Sequence, residues 1–468
     1  MKYEGQMNIF ESTQTTRILL CLLLAGRMVA AQHAAKVSYP IVDTGQVGCY
    51  GSSSEISFPK PGQPFYGQDA QYQGLAMKYR DNKDGTITDL NTGLMWQKTP
   101  DFKMRKWADS SSYAKKLKLA GRDDWRLPTI KEIFSIVDFR GNQHTRTPYI
   151  DTKAFDFKWP VVSQGVRSMD AQYWSSSRYV GVTMRGDKSA FGFNFADGRI
   201  KCYPVESIHM QAKKFARCVR GPAYGKNDFV DNGDGTIADR ATGLVWMKAD
   251  SGKTMNWSDA LKYAESLKLA GRDDWRLPNV KELQSIVDYR RAPDALSRSV
   301  RSAAIDPIFS LTITESWFWT STTHLENKAG YYVCFGQATS ARKIRGRKMN
   351  AHGAGAVRSD PKTGDPGRWP NGLGPQGDEI RIFNYVRCVR GGDVKIANPS
   401  SNRLGGGKAV PASNPRVQRF IKRLDKNGDG KISKAEFDGP ARHFRTLDRN
   451  GDGFLSTDEA PKGPPPRR

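Results

Sequence analysis

The segment Leu119-Ala120-Gly121-Arg122-Asp123-Asp124-Trp125-Arg126-Leu127-Pro128 occurs a second time, unchanged, as Leu269 to Pro278. At the same offset, Asp81-Asn82-Lys83-Asp84-Gly85-Thr86-Ile87 returns as Asp231 to Ile237. Thr92-Gly93-Leu94-Met95-Trp96 likewise returns as Thr242 to Trp246. Later landmarks drift: Trp174 in Tyr-Trp-Ser-Ser-Ser aligns with Trp319 in Phe-Trp-Thr-Ser-Thr, and Arg217-Cys218-Val219-Arg220-Gly221 aligns with Arg387 to Gly391. Self-similarity at a long fixed spacing means that one structural unit is built twice. The copies keep their first halves and differ by insertions in their second halves.

Each copy predicts the same order of elements. An Asp/Asn/Gly turn leads into a short strand, Thr86-Ile87-Thr88 in copy 1, and a Thr-Gly turn leads into Leu-Met-Trp. A helix follows; in copy 2, Trp257, Ala260, Leu261, Ala264 and Leu267 make one apolar face, with Gly271 as a stop signal. After the shared loop, Thr129-x-x-Glu132 and Asn279-x-x-Glu282 read as capping boxes opening a second helix. Short aromatic strands (Phe191, Phe193, Phe195; Tyr331, Val333, Phe335) and Gly-rich loops complete an α+β unit. Trp96, Trp125, Trp246 and Trp275 are expected in the core. Arg126 and Arg276 are expected to bridge to the Asp pair that precedes each. The segments Asp81–Asp89 and Asp231–Asp239 read as turns in preference to cation sites, because neither has a Glu at the twelfth position of a calcium loop.

The chain has 468 residues, 73 Lys or Arg against 48 Asp or Glu, and a formal charge of +25. No stretch is long and apolar enough to span a bilayer as a helix. Arg17 precedes the apolar run Ile18 to Gly26, and Val29-Ala30-Ala31 offers a cut ahead of Gln32. Residues 1–31 therefore predict a signal peptide, with Met7 as an alternative start, and the protein is expected to be secreted, periplasmic or at the cell surface. In an oxidising compartment the remaining cysteines predict bridges. Position within the repeats favours Cys202–Cys218 and Cys334–Cys388 and leaves Cys49 over, although sequence alone does not fix connectivity. The domain plan is a signal peptide (1–31), a lead-in (32–78), copy 1 (79–222), copy 2 (223–393), a linker (394–414), an EF-hand pair (415–462) and a disordered tail (463–468).

Asp425, Asn427, Asp429, Lys431, Ser433 and Glu436 fall at positions 1, 3, 5, 7, 9 and 12 of an EF-hand loop. Asp448, Asn450, Asp452, Phe454, Ser456 and Glu459 repeat the pattern. Ca²⁺ takes six to eight hard oxygens: side chains at 1, 3 and 5, the main-chain carbonyl at 7, often a water at 9 and a bidentate Glu at 12. Gly430 and Gly453 sit where the loop turns sharply, and Ile432 and Leu455 at position 8 are placed to pair the loops. Gly439-Pro440 interrupts any shared helix, a spacing that resembles dockerin modules.

The repeated segments resemble the Lcl C-terminal domain, first described in a collagen-like bacterial adhesin. The resemblance rests on DGTITDLNTGLMWQK, GRDDWRLPTIKE with GRDDWRLPNVKE, YWSSS and RCVRG. Arg-Leu-Pro-Thr and Arg-Cys-Val-Arg also resemble pieces of formylglycine-generating enzymes. The resemblance therefore implies two tandem C-type-lectin-like/formylglycine-generating-enzyme-like domains, followed here by a small all-α EF-hand module. The chain has no GxSxG, HExxH, phosphate-binding loop or closely placed redox cysteine pair, so a binding protein is expected and not an enzyme. The densest basic cluster is Arg342-Lys343-Ile344-Arg345-Gly346-Arg347-Lys348, read as a mobile loop. Arg342, Lys343, Arg345, Arg347 and Lys348 are candidates for binding an acidic or sulfated polysaccharide or another extracellular polyanion. The alternative is an envelope structural protein whose dockerin-like module docks a protein partner.

Overall fold

The computed structural model describes residues 37–162, 166–207, 212–344, 346–397, 415–426, 432–448, 453–455 and 459–460. The signal-peptide reading, most of the linker and the tail lie outside them. Copy 1 opens with three antiparallel strands, β1 (Tyr79–Asp81), β2 (Thr86–Asp89) and β3 (Met95–Gln97). Helices α1 (Trp107–Lys116) and α2 (Ile130–Ser135) follow, then β4 (Gln172–Arg178), β5 (Lys188–Asn194), β6 (Arg199–Glu206) and β7 (Val219–Arg220). Copy 2 repeats this as β8 (Phe229–Asp231), β9 (Thr236–Asp239), β10 (Leu244–Met247), α3 (Trp257–Ser266), α4 (Val280–Ser285), β11 (Trp317–His324) and β12 (Ala329–Cys334). An inserted pair, β13 (Thr339–Ile344) and β14 (Arg347–Asn350), precedes β15 (Val357–Asp360) and β16 (Val389–Gly391). In each copy the last strand returns to the first sheet: β7 pairs with β3 and β16 with β10.

The copies are not two separate beads. Their second-half strands join in one six-stranded antiparallel sheet of order β11-β12-β15-β6-β5-β4. The seam is the pairing of Val357 with Ile200, so the sheet reads as a palindrome about a local twofold axis. Trp96, Trp246, Phe193, Tyr331, Ile200 and Val357 share one continuous core across that axis. The apolar periodicity within each copy marks residues for burial without saying which copy they bury against.

Helices α2 and α4 meet at the same axis through a reciprocal contact. Lys131 Nζ donates to the Ser285 carbonyl (2.7 Å), and Lys281 Nζ donates to the Ser135 carbonyl (3.1 Å). Each amine therefore sits at the carbonyl end of the other copy's helix, where a cation is favoured. Lys131 also donates to Gly225 O and Asn227 Oδ1, and Lys281 to Asp43 O. Burial pulls the ammonium groups down, to about 7 for Lys131 and about 8 for Lys281.

Both capping boxes form as expected, on Thr129 and Asn279. Helix α3 buries Trp257, Ala260, Leu261 and Ala264 on one face but ends at Ser266, ahead of the Gly271 turn. The four repeated tryptophans are buried. In the acidic turns Asp84 Oδ1 accepts from the Thr86 main-chain NH and hydroxyl, as Asp234 does from Thr236, which is turn chemistry.

The arginine expectation needs correcting. Arg126 pairs with Glu132 (2.6 and 2.7 Å) and Arg276 with Glu282 (2.8 and 2.9 Å), the glutamates that close the capping boxes. The Asp partners go to the terminal strands: Asp124 accepts from Arg220 and Asp274 from Arg390. A strand that arrives from far along the chain outcompetes the adjacent residue.

The disulfide expectation also fails: Cys49, Cys202, Cys218, Cys334 and Cys388 are all free, buried thiols. Cys202 lies in the shared core with Phe191, whereas Cys218 lies in a separate cluster with Trp125 and Trp174. The two sulfurs of the predicted first bridge thus belong to different cores. Cys334 and Cys388 do share a cluster, with Trp257, Trp275 and Trp319, and remain separate thiols packed as small apolar groups.

The lead-in closes over copy 2. Gln46 Nε2 donates to Phe139 O in copy 1 and Thr323 O in copy 2, and Lys362 Nζ donates to the Tyr50 and Gly51 carbonyls. Tyr72–Gln73 pairs with Lys395–Ile396, so the start of the expected linker is still part of the folded body.

Candidate calcium module and basic hairpin

The C-terminal module is built on helix α5 (Pro415–Leu424) and helix α6 (Ala441–Leu447), joined by a two-stranded pairing of Ile432–Ser433 with Phe454–Leu455. Ile432 and Leu455 are partners in that pairing, as their position in the loops predicts. They pack with Ile421, Leu424, Phe444 and Ala460 in a small core, and the Phe437 ring meets Phe444 edge-on at 5.4 Å. The chain breaks at Gly439-Pro440 before α6, because proline cannot continue a helix from the preceding turn.

In the described part of the first loop the position-12 carboxylate is held by donors of the loop itself. Glu436 Oε1 accepts from the Lys426 NH at 3.1 Å, and Oε2 accepts from the Ser433 NH and hydroxyl at 2.8 and 2.7 Å. The position-12 carboxylate thus folds back over the loop start, beside Asp425. In the second loop the Gly453 NH donates to Asp448 Oδ2 at 3.2 Å. Glu459 is buried and lines, with Ser52, Lys362 and Trp369, a cleft of about 340 Å³ against copy 2 and the lead-in. Asn427, Asp429, Lys431, Asn450, Asp452 and Ser456 lie outside the described residues. Among the described residues no three His, Cys, Asp or Glu side chains gather as a metal cluster. The donors present fit a hard, oxygen-seeking dication. Asp425, Asn427, Asp429, Ser433 and Glu436 with the Lys431 carbonyl would hold one ion. Asp448, Asn450, Asp452, Ser456 and Glu459 with the Phe454 carbonyl would hold the second.

The basic cluster is not a loose loop. β13 and β14 form an antiparallel hairpin in register Lys343 to Lys348 and Ile344 to Arg347. The insertion replaces the four-residue turn that joins β5 to β6 in copy 1, so it rises from the middle of the long sheet and not beside the terminal strand. Arg342, Lys343 and Lys348 are exposed. Arg342 donates to Pro375 O at 3.2 Å, and Lys348 pairs with Glu379 at 2.6 Å, which Arg381 also holds at 2.8 Å. One carboxylate thus offsets part of the hairpin's charge. Arg345 lies outside the described residues, as does the side chain of Arg347.

Sequence reasoning missed what the first arginine of Arg-Cys-Val-Arg does. Arg217 is buried and donates to the carbonyls of Gln97, Lys98 and Asp156. Arg387 is buried and donates to those of Met247, Lys248 and Ser310. Burial lowers the Arg387 guanidinium to about 10. Each arginine therefore ties a terminal strand to the loop after β3 or β10. The only signal available was its position before a buried cysteine.

A family model described as the Lcl C-terminal domain matches residues 85–220 and 235–358, and one described as an EF hand matches 417–438 and 441–459. No curated protein and no solved structure gives a significant match. The two domain matches cover more than half of the chain and coincide with the two halves of the palindromic sheet. The chain belongs to the Lcl C-terminal domain family and carries an EF-hand pair, a calcium-binding motif, after its second copy.

Proposed function

We propose that this is an exported calcium-binding recognition or adhesion protein whose tandem C-type-lectin-like copies bind acidic or sulfated glycans. The observation that carries the reading is the inserted hairpin of copy 2. It presents Arg342, Lys343 and Lys348 as exposed cations on a hydrogen-bonded two-stranded support, where copy 1 has only a tight turn. Closely spaced exposed cations attract a polyanion by releasing its condensed counterions. Family membership leans towards adhesion and towards a location outside the cytoplasm. Calcium acts as a staple: the helices flanking the loops are short, so filling the loops fixes the module and exposes no groove. A binding protein is favoured over an enzyme because the repeated polar residues are engaged structurally, as in Arg126–Glu132, Arg220–Asp124 and the buried Arg217. A glycan array probed with and without calcium tests the proposal. Selective retention of sulfated or uronic-acid glycans supports it, and retention of neutral glycans alone, or of none, refutes it.

A further inference from the structure

The twofold repeat makes two equivalent grooves, one of which the chain fills itself. In copy 2 the groove runs between α3, the start of α4 and the end of β11, and lead-in residues 65–73 lie along it. The Phe65 ring stands 6.2 Å from the Trp257 ring, and Gly67 packs against the Glu265 carboxylate. Asp69 accepts from the Thr322 hydroxyl at 2.5 Å, and the Tyr72 hydroxyl donates to Glu265 at 2.6 Å. The Arg276 guanidinium lies 5.8 Å from the Tyr72 ring. Under this cover Trp257, Ser321, Thr322 and Thr323 are all buried.

The copy-1 groove keeps the same framework. Trp107 Nε1 donates to Ser175 O as Trp257 Nε1 does to Thr320 O, and Ser177 accepts from the Ile130 NH as Thr322 does from Val280. Among the described residues no segment covers it. Ser176 and Arg178 are exposed, Trp107 is half-buried with the Arg178 guanidinium 5.3 Å from its ring, and the Arg126 side chain is 39% exposed where Arg276 is 5% exposed. A cleft of about 370 Å³ stands there, lined by Ser111, Lys115, Arg126, Leu127, Thr129 and Ser176. Its charge differs from that of its twin at two positions: Lys115 stands where copy 2 has Glu265, and Arg178 where copy 2 has Thr323. Arg126 and Glu132 neutralise each other, and Glu206 is held by Arg178 and Lys188, which among the described residues leaves Lys115 as the unpaired cation lining the cleft.

We infer that the copy-1 groove docks an extended acidic peptide segment of another protein, running as residues 65–73 run along copy 2. The partner places an aromatic ring over Trp107, a carboxylate near Ser177 as Asp69 has near Thr322, and a second carboxylate against Lys115 in place of the Tyr72 hydroxyl. Peptide is the class of occupant because the equivalent groove in this same chain holds one.

The test uses the full chain and two synthetic peptides, residues 64–74 of this sequence unaltered and with Tyr72→Glu, followed by fluorescence anisotropy. The Tyr72→Glu peptide is expected to bind the wild type and to lose roughly tenfold in affinity against Lys115→Glu, because like charges then face each other. The unaltered peptide is expected to be the better ligand of Lys115→Glu, whose groove now matches copy 2. Lys115 is exposed, so the variant should melt as the wild type does. Failure of both peptides to bind overturns the inference. So does binding indifferent to Lys115→Glu, which would mean that the peptide had displaced the lead-in from copy 2. Binding of heparin fragments that depends on Lys115, with no peptide binding, also overturns it and assigns the groove to glycans.

Discussion

Replacing Lys131 by Met probes the fusion of the two copies at the point where it is most exposed to chemistry. The methionine keeps the apolar stem and removes an amine that donates to Ser285 O, Asn227 Oδ1 and Gly225 O at 2.7, 2.9 and 3.1 Å. A buried acceptor left without a donor costs about 1–3 kcal/mol. At pH 9 the neutral amine has two N–H donors for these acceptors, so two such losses set an upper bound, against which stands the removed cost of burying the amine, and a net loss of about 2–4 kcal/mol is expected. The pH dependence gives the sharper readout. Because burial lowers the folded-state value of Lys131 to about 7, the amine is protonated in the unfolded chain and neutral in the folded one between about pH 7 and 10. The unfolded state then binds more protons, so wild-type stability rises with pH across that window, by up to about 1.4 kcal/mol per unit for one group. Below pH 7 both states are protonated and the burial cost is carried in full. Urea denaturation at several pH values should show Lys131→Met losing this rise, and therefore costing less at pH 6 than at pH 9. An equal loss at both pH values, or no loss at all, would refute the reasoning.

Other expectations are as direct. In the full chain, calorimetry should find two bound calcium ions, and Glu436→Gln with Glu459→Gln should remove most of the heat, since each change takes away a charge and a bidentate ligand. Gly67→Ala should destabilise the protein by roughly 1–2 kcal/mol from its backbone alone. Gly67 has φ +92°, and an added Cβ would clash with the Glu265 carboxylate, so tryptophan fluorescence should also report Trp257 uncovered. Native protein should leave Cys49, Cys202, Cys218, Cys334 and Cys388 unmodified by a thiol reagent until it unfolds, because burial raises every one of these thiols, to about 12 for Cys49, Cys218 and Cys334. A linked pair in non-reducing peptide maps would contradict this.

The repeated segments made the first half of each copy legible: capping boxes, tryptophan core and acidic turns all stand as the residues predict, because local hydrogen bonding and short-range periodicity decide them. The pairing of Ile432 with Leu455 was legible for the same reason, being fixed by loop position. Partners brought together by topology were not legible. Arg126 takes Glu132 six residues on, leaving Asp124 for Arg220, and nothing in the order Asp-Asp-Trp-Arg announces that exchange. Cys202 and Cys218 lie close in sequence but in different cores, because β6 and β7 belong to different sheets. The seam between Val357 and Ile200 and the lead-in over copy 2 join residues far apart in the chain. Duplication in a sequence gives the unit, but not whether two units stand apart or share a sheet.

The claim that the inserted hairpin reads polyanions is tested most directly by the salt dependence of heparin binding in calcium buffer. Wild type is compared with a variant carrying Arg342, Lys343, Arg345, Arg347 and Lys348 all changed to Gln. Each cation paired with the polyanion displaces counterions, so log K should fall linearly with log salt for the wild type. For the variant the line should be weaker and shallower, at unchanged thermal stability, because the hairpin stands outside the core. The same slope and affinity in both proteins would contradict the account, as would a wild type that does not bind at low salt.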